Sequence, residues 1–475
     1  MTGHLPPLRD PGDRQALVDL DKAHVWHPFT QMEGWLAGDP LVIAGAEGCW
    51  LIDADGRRFL DGVSSLWVTV HGHRVPEIDR AITDQLGRVA HSTLLGLANT
   101  PSAELAARLV ALSPPSMGPG LTKVFYSEAG ACAVEIALKM AFGYCQHTGK
   151  PEKRTFLSLD NAYHGDTLGA VSVGGIDLFH AAYRPLLFPA HRAPSPYCYR
   201  CPLGKQYPGC LTACLRPLEE ALEEHHEELC AVIVEPLMQA AGGMIAAPPG
   251  YLRQLSELCE EYEVLLILDE VATGVGRTGT FFACEQEGVS PDILVAGKGL
   301  TGGYLPLAVT MTTQAIFDAF LGRPEDARTF FHGHTYTGNP LACAAALANL
   351  DLMEANQTLA GVRERSEALG RALKPLEDHP HVGEVRRRGL MVGIELVADR
   401  ATRQPFDPAL GMGWRVATQA REHGVLIRPL GDVVVLMPPL GIPFDELDLL
   451  ARVTVEAVEA ATKAPGPPAP AGGRW

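Results

Sequence analysis

Long apolar runs are missing from this chain: its stretches of Val, Leu, Ile and Ala are broken by Gly, Pro or charge, so no membrane span is expected. The opening MTGHLPPLRDPGDRQ likewise lacks the apolar core of a secretory leader, which makes the expected location cytoplasmic. Positive charge is also short. Lys and Arg number 39 against 56 Asp and Glu, a net charge of −17, which argues against nucleic acid or an anionic membrane surface as the main partner while leaving room for a local basic pocket. Cysteine is not scarce. Cys49, Cys132, Cys145, Cys230, Cys259, Cys284 and Cys343 lie scattered in apolar contexts and read as small core residues of a reduced protein.

With 475 residues the chain exceeds what one hydrophobic core serves, so a large and a smaller domain are expected. The most informative stretch is VLLILDEVATGVGRTGTFFACEQEGVSPDILVAGKGLTGGYLPL. Its two apolar runs, Val264–Leu268 and Ile293–Ala296, have the length and branched content of buried parallel strands, and one charged residue follows each, Asp269 and Lys298. In an open α/β sheet the strand ends form the ligand crevice. The pair therefore fits either a structural salt bridge or solvated strand ends, or a bound pyridoxal 5'-phosphate. In the second case Lys298 holds the cofactor as a Schiff base and Asp269 keeps its pyridine nitrogen protonated.

The rest of the chain supplies candidates for the same crevice. Residues 16–24 read as a short helix, WHPFTQM at 26–32 as an ordered, packed segment, and WLIDADGRRFLDG as a hairpin around Asp-Gly. LTKVFYSEAGACAVEIALKMAFGY reads as strand, turn at Gly130, then helix, and the free N–H groups of such a helix start can cradle a phosphate. Tyr163 follows another strand and offers a flat ring for stacking; Glu235 ends a further strand. Thr335, in a Gly/Thr/Asn-rich loop ahead of an Ala-rich helix, offers a hydroxyl to an anion, and Arg428 offers a guanidinium for a carboxylate. Cys198, Cys201, Cys210 and Cys214 stand in YCYRCPLGKQYPGCLTAC at C-x2-C-x8-C-x3-C spacing, either a structural tetrahedral metal site or reduced thiols without a metal. Neither reading puts a metal in the chemistry.

With these residues in hand the chain resembles the class III, fold-type I pyridoxal-phosphate aminotransferases over about residues 16–460. LDEVATGVGRTG with AGKG at Lys298, YHGDTLGA, SEAGACAVEIALKMA and HGHTYTGNPLACAAA occur together and in order. Within the class the chain is most similar to the 7,8-diaminopelargonate synthases of biotin biosynthesis, through WHPFTQM, SSLWVTVHGH, RVAHSTLLGLANTPSAELA and RPLGDVVVLMPPL. The resemblance implies an α/β fold with a mostly parallel central sheet, flanking helices and a smaller α+β domain. It implies transamination of 8-amino-7-oxononanoate with S-adenosylmethionine as amino donor; lysine as donor, or another ω-amino-acid or amine transaminase, stays open.

Carried over residue by residue, the resemblance makes Lys298 the Schiff-base lysine and Asp269 the partner of the ring nitrogen, with Val271 on one ring face and Tyr163 on the other. Gly130 and Ala131 would bind phosphate through backbone N–H groups, and Thr335 would reach it from the neighbouring subunit of a homodimer. Trp67, Gly333 and Arg428 would meet the substrate, Arg428 at its carboxylate. Ala129 and Ala131 stand where many members carry Ser, and Phe29, Leu66, Leu430 and Val435 replace aromatics linked to S-adenosylmethionine use. The expected organisation is a tail over 1–14, an N-terminal segment over 15–75 that joins the small domain, a large domain over 76–363, a small domain over 364–463 and a disordered tail over 464–475.

Overall fold

The computed structural model describes residues 14–114 and 120–463, so both expected tails lie outside it apart from Arg14. Arg14 opens helix α1 (Arg14–His24), anchored through its guanidinium to Asp39 and the Pro40 carbonyl. In the N-terminal segment the Asp-Gly turn forms as expected. Strands β1 (Ile43–Glu47), β2 (Trp50–Asp53) and β3 (Arg58–Asp61) make an antiparallel ladder around it.

The core is a seven-stranded sheet of β4 (Leu121–Ser127), β5 (Thr155–Leu159), β6 (His191–Ala193), β7 (Leu229–Val234), β8 (Leu265–Asp269), β9 (Ile293–Ala296) and β10 (Ala308–Thr313), in spatial order β4-β10-β9-β8-β7-β5-β6. Pairings from β6 through β9 are parallel; β10 alone runs antiparallel to both its neighbours. Every residue of β7 and β9 is buried, which explains why these strands read as unbroken apolar runs rather than alternating ones. Because β8 and β9 are adjacent and parallel, their carboxyl ends open into the same crevice.

Helix α2 (Gly130–His147) follows β4 and packs on one face of the sheet through Ala133, Val134, Ile136, Ala137 and Met140. The Ala-rich helix α3 (Pro340–Ala355) buries Ala342, Ala345 and Ala346, and packs against the helices Pro76–Leu86 and Thr100–Ala111. Small side chains let these axes approach closely. A second sheet, β11 (Val382–Arg388), β12 (Met391–Leu396), β14 (Arg428–Leu430) and β15 (Val433–Leu436), is antiparallel throughout. Strand β13 (Val425–Leu426) instead pairs in parallel with β3, which joins the N-terminal ladder to the C-terminal part of the chain. The helix Thr358–Ala372 runs straight through position 363, so the domain boundary expected there falls inside an element. Among the described residues no helix is long and apolar enough to cross a membrane.

Two expectations need correction. Trp26 is 87% exposed, whereas His27, whose ring lies 4.0 Å from that of Trp35, and Phe29, edge to face with Phe179, pack as expected of the segment. Cys132, in the first turn of α2, is half-buried, whereas the other six scattered cysteines are buried as expected.

Candidate active site

Lys298 comes two residues after β9 and adopts a left-handed backbone (φ 47°), a conformation that costs a side-chain-bearing residue free energy and that surrounding contacts must hold. Gly297 leads into it and a short turn, Lys298–Thr301, follows. Lys298 is half-buried in the cavity wall, and burial lowers its pKa, opposed by the nearby carboxylates of Asp269 and Glu235. At neutral pH a larger share of this lysine is therefore the neutral amine than for a lysine in water.

Asp269 ends β8 and is buried. Its Oδ2 lies 2.8 Å from His164 Nδ1, and its Oδ1 accepts from the Val271 N–H at 3.0 Å. His164 Nε2, also buried, has no protein partner. Glu235, at the end of β7, accepts from the Tyr163 and Ala240 N–H groups at 3.2 and 2.8 Å. Burial still pushes its carboxyl up to about 7.

These groups line one cavity of about 440 Å³ with Trp67, Gly130, Ala131, Tyr163, Val271 and Ala272. Tyr163 donates its hydroxyl to Asp166 Oδ2 at 2.7 Å, leaving its ring face to the cavity. At the cavity wall the 18-residue helix α2 begins with Ala129 as N-cap, and no side chain caps it. Its first N–H groups therefore remain available to an anion. Gly130 is required there: a Cβ would meet Val271 Cγ1 at 2.8 Å.

A second chamber of about 140 Å³ shares Trp67, Tyr163, Ala241 and Lys298 with the first and adds Phe29, Leu66, Phe179, Arg428, Leu430 and Val435. Phe29, Tyr163 and Phe179 meet edge to face, with centroids 5.2–6.4 Å apart. Arg428 brings a guanidinium into an otherwise apolar wall, and burial lowers its pKa. Trp67 is shared because of a strained turn. Ser64, Ser65 and Trp67 all have positive φ, held by the Asp61 carboxylate on the Ser65 N–H and by the Ser64 hydroxyl on the Met437 carbonyl. That turn sets the indole 5.4 Å from Lys298 Nζ.

Lys298, Asp269, Tyr163, Gly130, Ala131, Val271, Trp67 and Arg428 are thus brought together. Gly333 and Thr335 are not: both are exposed in the loop ahead of α3 and line neither chamber. Sequence reasoning gave no role to His164, Asp166 or Phe179. His164 lies in the YHG turn after β5 and Asp166 follows it, so both had a local signal; Phe179 had none.

A family model for class-III aminotransferases matches residues 36–458. The chain belongs to the class-III aminotransferases. Adenosylmethionine-8-amino-7-oxononanoate aminotransferase of Nitratidesulfovibrio vulgaris is 58% identical over 94% of this chain and 82% of its own length. Its counterpart from Geobacter sulfurreducens is 52% identical over 95% and 99%. The crystal structure of the Methanocaldococcus jannaschii counterpart superposes with a TM-score of 0.89 at 44% identity, covering 94% of this chain and 99% of that one. A thermostable (S)-enantioselective omega-transaminase from Thermomicrobium roseum also reaches 0.89, at 38% identity over the same shares.

As a class-III aminotransferase the chain takes pyridoxal 5'-phosphate, and its residues fit that group. A buried carboxylate suits a protonated ring nitrogen, an uncapped helix start suits a phosphate, and the neutral-leaning Lys298 amine suits the aldehyde.

Glu270, next to Asp269, holds the loop beyond β8. It accepts from the Ala283 and Cys284 N–H groups and the Thr273 hydroxyl, each at 2.9 Å, while burial pushes its carboxyl up to about 7. Glu270→Gln would turn an NH2 toward an N–H donor, with an expected loss of about 1–3 kcal/mol of stability. The urea midpoint reads this; a wild-type midpoint would remove Glu270 from the site's support.

Proposed function

We propose that this class-III aminotransferase converts 8-amino-7-oxononanoate to 7,8-diaminononanoate with S-adenosylmethionine as amino donor, in a homodimer. The carrying observation is the second chamber. Lys298 and Arg428 share an apolar wall of Phe29, Leu66, Phe179, Leu430 and Val435, which suits a substrate whose reacting carbonyl and carboxylate are separated by methylenes. The relatives from Nitratidesulfovibrio and Geobacter carry the name of this reaction.

The cofactor supplies an electrophilic carbonyl and a ring that accepts an electron pair. Asp269 keeps a proton on the pyridine nitrogen, and His164, at Asp269 Oδ2, fixes the carboxylate's orientation. The N–H groups of Gly130 and Ala131 bind the phosphate, and Tyr163 and Val271 set the ring plane. The Lys298 amine takes the proton from the donor's α-carbon and later returns one to the product carbon, which needs a base near neutral pH; burial supports that role. Arg428 binds the carboxylate of 8-amino-7-oxononanoate, so donor and acceptor use one pocket in turn. The partner subunit's Thr335 completes the phosphate site and the partner subunit's Gly333 borders the substrate. This reading is supported by the exposure of both loop positions beside exposed Phe331 and Tyr336.

A second reading, lysine as donor, is favoured by the lack of a phenol at Phe29, Leu66, Leu430 and Val435. Mixing the yellow holoenzyme with each donor alone separates the two. S-adenosylmethionine is expected to remove the cofactor's visible band within turnover time; loss with lysine only would transfer the reaction to that donor. Arg428→Ala is expected to raise the KM for 8-amino-7-oxononanoate by about 10–100-fold, the worth of a charged hydrogen-bonded pair, with kcat little changed. Unchanged kinetics would reduce Arg428 to a structural residue.

A further inference from the structure

Away from the active site, three side chains converge beside the edge strand β6 of the central sheet. His191 Nε2 and His225 Nδ1 each lie 3.0 Å from the same oxygen, Glu228 Oε1, and the two imidazoles stack with centroids 4.0 Å apart. The three potential ligand atoms lie within 4.8 Å of one another. Glu224 Oε2 approaches His225 Nε2 at 3.8 Å, and the neighbouring His226 is turned away, with Nδ1 3.1 Å from the Leu222 carbonyl.

We propose that His191, His225 and Glu228 form a surface binding site for a divalent transition ion of the zinc class, with water completing the coordination. Two neutral imidazoles and one carboxylate are the donor set such an ion selects over calcium or magnesium.

The backbone preorganises this donor set. His191 is fixed by the β5–β6 register, opposite Leu157. Glu228 is fixed by its own carbonyl, which accepts from the Arg154 and Thr155 N–H groups at 2.7 and 2.9 Å, and by its N–H, which donates to the His225 carbonyl at 2.9 Å. His225 occupies the last turn of the helix Arg216–His225, where the partial negative charge of the helix end favours a cation. All three side chains are partly solvent-accessible, so an ion can enter without opening the core. In the metal-free protein both imidazoles direct an N–H at Glu228 Oε1. When the ion binds, those nitrogens turn their lone pairs to it and the N–H groups move to the opposite ring nitrogens. Such an ion pins β6, a three-residue edge strand, to the helix beside it.

The four-cysteine loop carries thiols that such ions also favour, and the experiment keeps the two apart. Chelator-treated holoenzyme is titrated with Co2+ and Zn2+, with the wild type beside a His191→Gln/Glu228→Gln variant whose fold is checked by its retained visible cofactor band. Wild type is expected to bind one ion with weak visible cobalt bands, without the intense near-ultraviolet band of thiolate ligation. The variant is expected to lose more than the about 10–100-fold that removing an outer-shell partner costs. Equal affinity in variant and wild type, or a thiolate band accounting for all bound cobalt, would overturn the site. So would no stoichiometric binding.

Discussion

Lys298→Ala is expected to abolish transamination, by more than about 10⁴-fold in kcat, while leaving a folded, cofactor-retaining protein. The residue combines three properties that no neighbour duplicates. Among the described residues it is the only lysine lining either chamber, its pKa is lowered by burial, and its left-handed backbone is set by the strand before it and the turn after it. Alanine has the same Cβ and meets the same backbone strain, so the substitution removes the amine without adding conformational cost. The vacated space opens onto a solvent-connected cavity rather than a sealed core, so little cavity penalty is expected. Circular dichroism and the thermal midpoint check the fold; single-turnover mixing with the donor checks the chemistry. Residual turnover within about tenfold of wild type would assign the proton transfer elsewhere.

The second large effect belongs to Asp269. Asp269→Asn is nearly isosteric and can still accept from the Val271 N–H, yet it removes the negative charge facing the cavity. A ring nitrogen that is not held protonated is a poorer electron sink, so kcat is expected to fall by about 10²–10³-fold, the scale of losing one preorganised electrostatic contact. KM should change little, because the interaction strengthens as electrons move into the ring rather than on binding. A loss confined to KM would make Asp269 a binding residue. The thermal midpoint separates a fold defect, since His164 Nδ1 also loses its ionised partner.

Most of the candidate cofactor cradle was legible in the sequence because Gly130, Tyr163, Asp269 and Lys298 end or follow locally readable strands, as Thr335 does not. Branched apolar runs announced β8 and β9, and parallel neighbours deliver Asp269 and Lys298 to one crevice. Gly130 was legible as a turn; its close approach to Val271 was not, because that contact spans strands far apart in sequence. The substrate half depended on long-range assembly. Phe29 arrives from the N-terminal segment, Phe179 from a short helix after β5, and Arg428 from the second sheet, so periodicity alone could not join them. Trp26 was misread because the aromatics of WHPF carry no local sign of which of them is covered. The antiparallel course of β10 was equally hidden, since its all-buried residues look the same in either direction.

The most direct test supplies holoenzyme with S-adenosylmethionine and 8-amino-7-oxononanoate together and follows 7,8-diaminononanoate by mass spectrometry. Product is expected to accumulate over many turnovers per active site, and to vanish when either substrate is omitted. No diamine with S-adenosylmethionine, alongside turnover of simple amines with oxo acids, would contradict the account and make the chain an amine transaminase of the same family.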